Sequence, residues 1–423
     1  MLPQLPALPI PPSWFPGHMM KFTRMLPLLL KKTNVVLEIR DSRLPLTSIN
    51  RTLEGALRKW RLERGWDPNN PLKRIVAVDA CEHIVVLNKR DLVPEWGMGP
   101  FRKAMESKFP HQRMLSASLH RPRDIRDLNE ALVNIAKEYP HAMELNVLVI
   151  GMPNVGKSTL LNALRNMGIK GRTPKAFKTS SNPGMTQALS TRLKLSLDPL
   201  VYAYDSPGIM LPYLGRGPEG AERGVKLALN AGIKEGLYDI EALAAYLLYR
   251  LNVIDPLNPA YMTLLPANAS PTTDLNQFLD ILARRMGMLQ RGGDPDLSRA
   301  AVYFVKWWRE DGALLSASKG LSPFENNSQQ HTTISIPRSN TQTWGFDFQW
   351  SVDPVNTATS GLVPQDPSVL VQKKMEQCIE DFIVESDRED AEENNLSPTQ
   401  VKKKAVFEEK ERRKMRYAAR QQR

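Results

Sequence analysis

The stretch Gly-Met-Pro-Asn-Val-Gly-Lys-Ser at 151–158 sets two glycines, a lysine and a hydroxyl at the spacing GxxxxGK[ST]. Glycines let successive backbone N–H groups turn inward around phosphate oxygens, a lysine adds a point charge for the β- and γ-phosphates, and the hydroxyl suits Mg2+. On that reading Asn154, Val155, Gly156, Lys157, Ser158 and Thr159 line a nucleotide's phosphates, with Lys157 also in the catalytic set and Ser158 a metal ligand. Asp205-Ser206-Pro207-Gly208 follows an apolar run; Asp205 can hold Mg2+, possibly through water, and the Gly208 N–H can meet a γ-phosphate. Thr186, in Asn182-Pro183-Gly184-Met185-Thr186, is the candidate switch residue, reaching Mg2+ only when a third phosphate is present; other serines and threonines lie nearby. Asn88-Lys89-Arg90-Asp91 would choose the base. A carboxylate at Asp91 accepts from guanine N1–H and its exocyclic amine, a donor pair that adenine lacks, so GTP and GDP are expected over ATP. Lys89 would lie across the base, and in Ser116-Ala117-Ser118 the Ala117 N–H can reach guanine O6.

Hydrolysis needs a group that orients the attacking water. The position after Gly208 is Ile209, where a glutamine often serves, and a hydrocarbon cannot orient water. Slow intrinsic hydrolysis is therefore expected, with the orienting group supplied from elsewhere. His18, in Trp14-Phe15-Pro16-Gly17-His18-Met19, is the internal candidate, since imidazole works near neutral pH; a packing or RNA-contacting histidine is the other reading. Asn154 is also a candidate ligand of K+ beside the phosphates.

These groups need a scaffold, and apolar runs at 35–39, 84–87, 145–150 and 201–204 read as buried strands, each followed by motif residues. Between them Ile125, Leu128, Leu132, Ile135 and Tyr139 recur at helical spacing, with Asp124 read as the N-cap. The pattern predicts an α/β fold with a mostly parallel sheet, helices on both faces, and ligands at the carboxyl ends of the strands. Residues 54–83 read as an insertion before the strand at 84. From about 217 the texture turns helical: 239–251 capped by Asp239, 274–285 capped by Asp274, and 297–308 behind Asp294-Pro295. A small all-helical domain is expected over 217–315, after a nucleotide domain over 14–216 and an extension over 1–13. Residues 316–423 are expected to be a mostly disordered charged tail, with an acidic block at 376–393 and ten basic against three acidic residues in 402–423. Within it, 344–352 alternates large apolar residues as a strand with one sticky face, to dock on the globular part or on a partner.

The chain of 423 residues can bury two or three cores, and its net charge of +12 favours a polyanionic partner such as RNA or an anionic membrane surface. Two distant cysteines, Cys81 and Cys378, match no zinc spacing and suit a reduced compartment. No apolar run is long enough to span a bilayer, and residues 1–12 carry no charge, so a targeting segment is not legible.

An ordinary GTPase runs phosphate loop first and guanine loop last; here the guanine loop leads. With NKRD, SAS, GMPNVGKS, Thr186, DSPG and the leading WFPGHM in that order, the sequence closely resembles the circularly permuted GTPases of the YlqF/RbgA family over residues 14–315. Asp41-Ser-Arg-Leu-Pro45, Leu227-Ala-Leu-Asn230 and Arg291-Gly-Gly-Asp-Pro-Asp-Leu-Ser-Arg299 add to the match. The resemblance implies a GTP-hydrolysing, ribosome-stimulated factor that assembles the large ribosomal subunit, contacting rRNA and ribosomal proteins. For a eukaryotic member it implies the mitochondrial ribosome, in the matrix or peripherally at the matrix face of the inner membrane, and a monomer. Arg284, Arg285, Arg291, Arg299, Lys306 and Arg309 are candidate phosphate contacts, with Trp307 and Trp308 read as core. A GTP-dependent signalling switch and an RNA-binding protein with a degenerate pocket are the alternatives; the intact Asp91, Lys157, Ser158 and Asp205 disfavour the second.

Overall fold

In the computed structural model, residues 4–12, 14–67, 80–169, 189–190, 192–319, 341–351 and 366–391 are described, with a few isolated positions after 404. A six-stranded sheet carries the fold: β1 (Val35–Asp41), β2 (Glu82–Asn88), β3 (Arg113–Ala117), β4 (Leu145–Gly151), β5 (Leu193–Leu197) and β6 (Leu200–Asp205). Its order is β3-β2-β1-β4-β6-β5, and only β5 runs antiparallel. The four apolar runs of the sequence are β1, β2, β4 and β6. β1 and β4 lie at the centre, covered on both faces, which is why they read as continuous valine- and isoleucine-rich stretches.

Register places the chemistry. Asp41 pairs with Asn88, Asn88 with Ala117, Ile39 with Gly151 and Val149 with Asp205, so the motif-bearing strand ends lie along one carboxyl edge. Parallel neighbours need crossovers, supplied by α2 (Arg51–Glu63), α3 (Met98–Lys108), α4 (Pro122–Glu138) and α5 (Lys157–Gly168), while α1 (Gly17–Leu30) leads into β1. α1 buries Met19, Phe22, Leu26 and Leu30, one helical stripe.

Much of the expected insertion at 54–83 is α2, the crossover that β1 and β2 require; it is capped by Asn50, whose side chain accepts from Leu53 N, while residues 68–79 lie outside the described set. Asp124 is not a cap. Proline fits the first helical turn, so α4 starts at Pro122 and Asp124 sits inside that turn, ion-paired with Arg90 at 2.7 Å.

Beyond the sheet come α6 (Gly217–Leu229), α7 (Ile240–Ile254), α8 (Leu275–Arg285), α9 (Leu297–Trp307), a π-turn at Trp308–Gly312 and α10 (Ala313–Lys319). Asp239 and Asp274 cap α7 and α8 as expected. The cap of α9 is Asp296, accepting from Arg299 N, and not Asp294, because Pro295 still pairs in an extended bridge with Leu289. Tyr261, Phe278, Phe304 and Trp307 pack ring against ring in sequence at the centre of these helices, edge-on, tilted and stacked in turn, with ring centroids 4.6–5.8 Å apart. Trp308 is buried as well.

The expectation of disorder across 316–423 fails for two segments. Residues 341–351 form a hairpin, β7 (Thr341–Trp344) and β8 (Phe348–Ser351), rather than one sticky strand; Gly345 at φ 59° makes the turn. The acidic block, as far as residue 391, belongs to a long helix, α11 (Pro367–Ala391), which buries Val371, Met375 and Ile379 in one core with Trp344, Phe348 and Phe101 of α3. This three-residue apolar stripe outweighs the solvated acidic face. Among the described residues no helix is long and apolar enough to cross a membrane.

Candidate functional site

The phosphate loop joins β4 to α5. Gly156 (φ 93°) starts the helix and Asn154 (φ 57°) precedes it in the left-handed region, so the backbone curls at the positive helix end. Gly151 (φ 146°) passes so close to β1 that an added Cβ would lie 2.3 Å from Ile39 O. Lys157 is folded onto this loop, donating to Gly151 O at 3.2 Å and Met152 O at 2.8 Å. Burial lowers its ammonium to about 8, with Asp205 pulling the other way.

DSPG approaches from β6. Ile209 N donates to Gly151 O at 3.1 Å, and a Cβ on Gly208 would lie 2.7 Å from Pro153, so only glycine lets the two loops touch. Ser158 Oγ donates to Asp205 Oδ2, while Asp205 Oδ1 is buried without a partner among the described residues. Burial raises the Asp205 carboxyl, against the pull of Lys157 and Ser158. Hydroxyl, carboxylate and an orphaned carboxylate oxygen together fit a Mg2+ site. Ile209 is packed in a second core with Phe22, Leu26 and Leu148.

The guanine loop is stitched directly to the phosphate loop. Asn88 Nδ2 donates to Val155 O at 2.8 Å, leaving its Oδ1 buried and unpartnered among the described residues. Lys89, at φ 59°, donates from Nζ to Asn154 O at 2.7 Å. Asp91 sits half-buried in the one-turn 3-10 helix Arg90–Leu92, and Ala117 and Ser118 are fully buried at the end of β3, alongside Asn88. Ser116 precedes them on β3, opposite Leu87. Thr159 lies in the first turn of α5. Segments 88–91, 116–118, 151–159 and 205–208 thus come together at one carboxyl edge.

The sequence reading missed a partner of Lys89. Asp41 ends β1, accepts from Lys89 Nζ at 3.1 Å and is gripped twice by Arg43, at 2.9 and 2.7 Å. An acid closing the strand beside the NKRD strand was the available sign.

His18 lies at the start of α1, and the neighbouring Met19 Sδ accepts from Met210 N at 3.5 Å, so α1 begins against the segment that follows DSPG. His18 Nε2 is buried without a partner among the described residues. Asn154 donates from Nδ2 to Ala231 O at 2.8 Å, tying the phosphate loop to the turn after α6. Thr186 lies outside the described residues. Of the six candidate cations in the helical region, two are structural: Arg285 donates to the carbonyls of Thr263 and Leu265, and Arg309 to those of Ala228 and Leu229 at the end of α6.

Sheet topology, phosphate loop and motif order define a P-loop GTPase whose G domain is circularly permuted. The profile of the 50S ribosome-binding GTPase family matches residues 146–264. "Mitochondrial GTPase 1" of Schizosaccharomyces japonicus is 32% identical over 311 residues, 70% of this chain and 87% of that protein. "Mitochondrial ribosome-associated GTPase 1" of Xenopus tropicalis is 28% identical over 315 residues, 70% and 90% of the two chains. Among solved structures, GNP-bound YlqF from T. maritima superposes with a TM-score of 0.42 and 20% identity, over 70% of this chain and 95% of that one. The chain belongs to the mitochondrial GTPase 1 family: it is a GTP-hydrolysing enzyme of mitochondria.

Proposed function

We propose that this GTPase assembles the large subunit of the mitochondrial ribosome, binding the immature particle with GTP, hydrolysing it and leaving. The observation that carries the reading is the pair of bonds from Asn88 and Lys89 to the phosphate loop, which joins base selection and phosphate binding despite the permuted chain. The ribosomal target is supported by the relatives' names, by the description of the matching family and by the net charge of +12.

In this reading Asp91 accepts from guanine N1–H and the exocyclic amine, the Ala117 N–H meets O6, Ser116 and Ser118 shape that loop, and the stem of Lys89 lies along the base. The backbone amides of Val155, Gly156, Lys157, Ser158 and Thr159 surround the phosphates. Lys157 leaves the Gly151 and Met152 carbonyls for the β- and γ-phosphates, and the Ser158–Asp205 bond gives way. Ser158, Thr186 and Asp205 would hold Mg2+, which when bound offsets charge on the β- and γ-phosphate oxygens. Asn154 would lend its amide oxygen to K+, and Gly208 its N–H to the γ-phosphate. His18, with its unsatisfied ring nitrogen, orients the water that attacks the γ-phosphorus. The bond to the β–γ bridging oxygen breaks, the water's proton passes to phosphate, and GDP remains.

The DSPG strand end leads into α6, and Asn154 holds the turn at its far end, so the helical region touches both loops that sense the γ-phosphate. Sedimentation with mitochondrial large-subunit particles tests this: binding should be strongest with a non-hydrolysable GTP analogue and weakest with GDP. Binding indifferent to nucleotide would overturn it in favour of a degenerate pocket.

A further inference from the structure

We infer that the β7–β8 hairpin is a positioning element of the guanine pocket, with Trp344 and Asp347 as its working residues; this rests on the reading of that pocket given above. The hairpin lies beyond residues 14–315, where the motif resemblance ends, yet it reaches the NKRD loop by two separate routes.

The first route runs through the indole of Trp344, which is fully buried. Its Nε1 donates to Pro94 O at 2.9 Å, its ring stacks on Phe101 at 4.6 Å, and it lies so close to Gly97 that a Cβ there would be 2.2 Å away. Pro94 and Gly97 belong to the chain leaving Asp91, so the indole backs the loop that presents the base-reading carboxylate.

The second route starts at Asp347. Its Oδ2 accepts from Leu46 N at 2.9 Å and Thr47 N at 2.8 Å, and its Oδ1 from the Thr47 hydroxyl at 2.6 Å, with Lys226 at 3.6 Å. Phe346 N donates to Arg43 O at 2.9 Å. These bonds pin the 43–47 loop. Arg43 in turn grips Asp41, Asp41 accepts from Lys89, and Lys89 reaches Asn154 O. The hairpin therefore sets both ends of NKRD, Lys89 from one side and Asp91 from the other.

Its tip is anchored in the helical region. Arg250, wholly buried on α7, donates to Gly345 O at 3.0 Å and to Gln349 Oε1, and Phe346 packs edge-on against Trp308. Any shift of α7 against the sheet is thus transmitted to the guanine loop.

A misplaced Asp91 weakens two contacts to guanine, N1–H and the exocyclic amine, and only one to hypoxanthine, so the sensitive readout is preference for GDP over IDP, which lacks that amine. In the full-length protein, Trp344→Phe keeps the stacking and loses the Nε1 bond, and Asp347→Asn keeps the shape and loses the charge. Each should weaken GDP binding about 10-fold and IDP binding by clearly less, lowering the GDP:IDP preference. Trp344→Ala should lower it further. Thermal stability is measured alongside. Variants that lose stability but keep the wild-type GDP:IDP ratio would reduce the hairpin to scaffolding and overturn the inference. Asp91→Asn reports on the pocket separately: if it leaves guanine preference intact, the pocket reading itself fails; if it abolishes preference while the hairpin variants do not change it, only the hairpin's role fails.

Discussion

Lys157 illustrates how a single residue carries both folding and binding. Burial lowers its ammonium to about 8, below the 10.5 of a free lysine, so between those values the unfolded chain holds more protons than the folded one. The nucleotide-free protein should therefore gain stability as pH rises from about 8 to 10.5. Phosphates supply the missing negative charge, so GDP binding at pH 9 should take up protons. Calorimetry in two buffers of different ionisation heat reads this directly, and identical heats would contradict it. His18 makes a complementary case. His18→Ala should bind GTP normally and hydrolyse it about 100-fold more slowly in the activated state, the low end of what one acid–base or water-orienting group contributes. An unchanged activated rate would leave His18 a packing residue. Exchange of K+ for Na+ in the same assay tests Asn154.

At the scale of elements, β1 holds a charged cluster that its apolar flanks conceal. Glu38 accepts from Arg40 at 2.7 Å and pairs with His83 at 2.9 Å, and Arg40 reaches Glu54 of α2 at 3.3 Å. Burial pushes the Glu38 carboxyl up, but Arg40 and His83 together hold it at about 2. Because that is a depression, the cluster's contribution is present above about 4.5 and is lost as pH falls from there through 2. Glu38→Ala leaves buried Arg40 with only the longer pair to Glu54 at 3.3 Å, which should cost up to about 3–5 kcal/mol, measurable as a lower urea midpoint. A variant as stable as wild type would show that the cluster is neutral. The same scale explains which strands were legible. Central strands are buried on both faces and read as apolar runs. β3 and β5 are edge strands, with exposed Arg113 and half-buried Lys194, and neither carries such a run. α2 is a crossover only by virtue of the parallel pairing of β1 with β2, which its own residues do not encode.

For the whole molecule, the net charge of +12 does not spread evenly into function. Arg285 and Arg309 spend their donors on backbone carbonyls, whereas Arg291 and Arg299 are exposed on the helical region. If ribosomal RNA phosphates are the target, affinity for the large subunit should fall steeply with salt. Replacing Arg291 and Arg299 by Ala should flatten the slope of log K against log salt by roughly two. Arg309→Ala should lower stability and leave the slope alone. A salt-indifferent association would assign the affinity to protein contacts instead.

The sequence by itself determined the chemistry and its order. Each motif is a short strand–loop–helix unit, and the residue types at 88–91, 151–158 and 205–208 are dictated by local backbone geometry and by the groups of a guanine nucleotide. It also determined the buried central strands and the caps of α7 and α8, again through local patterns. Tertiary structure alone decided what closes the site. Asp41 meets Lys89 because two strands lie side by side, and Asp347 meets Thr47 across 300 positions of chain. No local period encodes such a meeting. The spacing of Val371, Met375 and Ile379 acquires a meaning only from the face of α3 that it covers, because the acidic residues around it read locally as a solvated run.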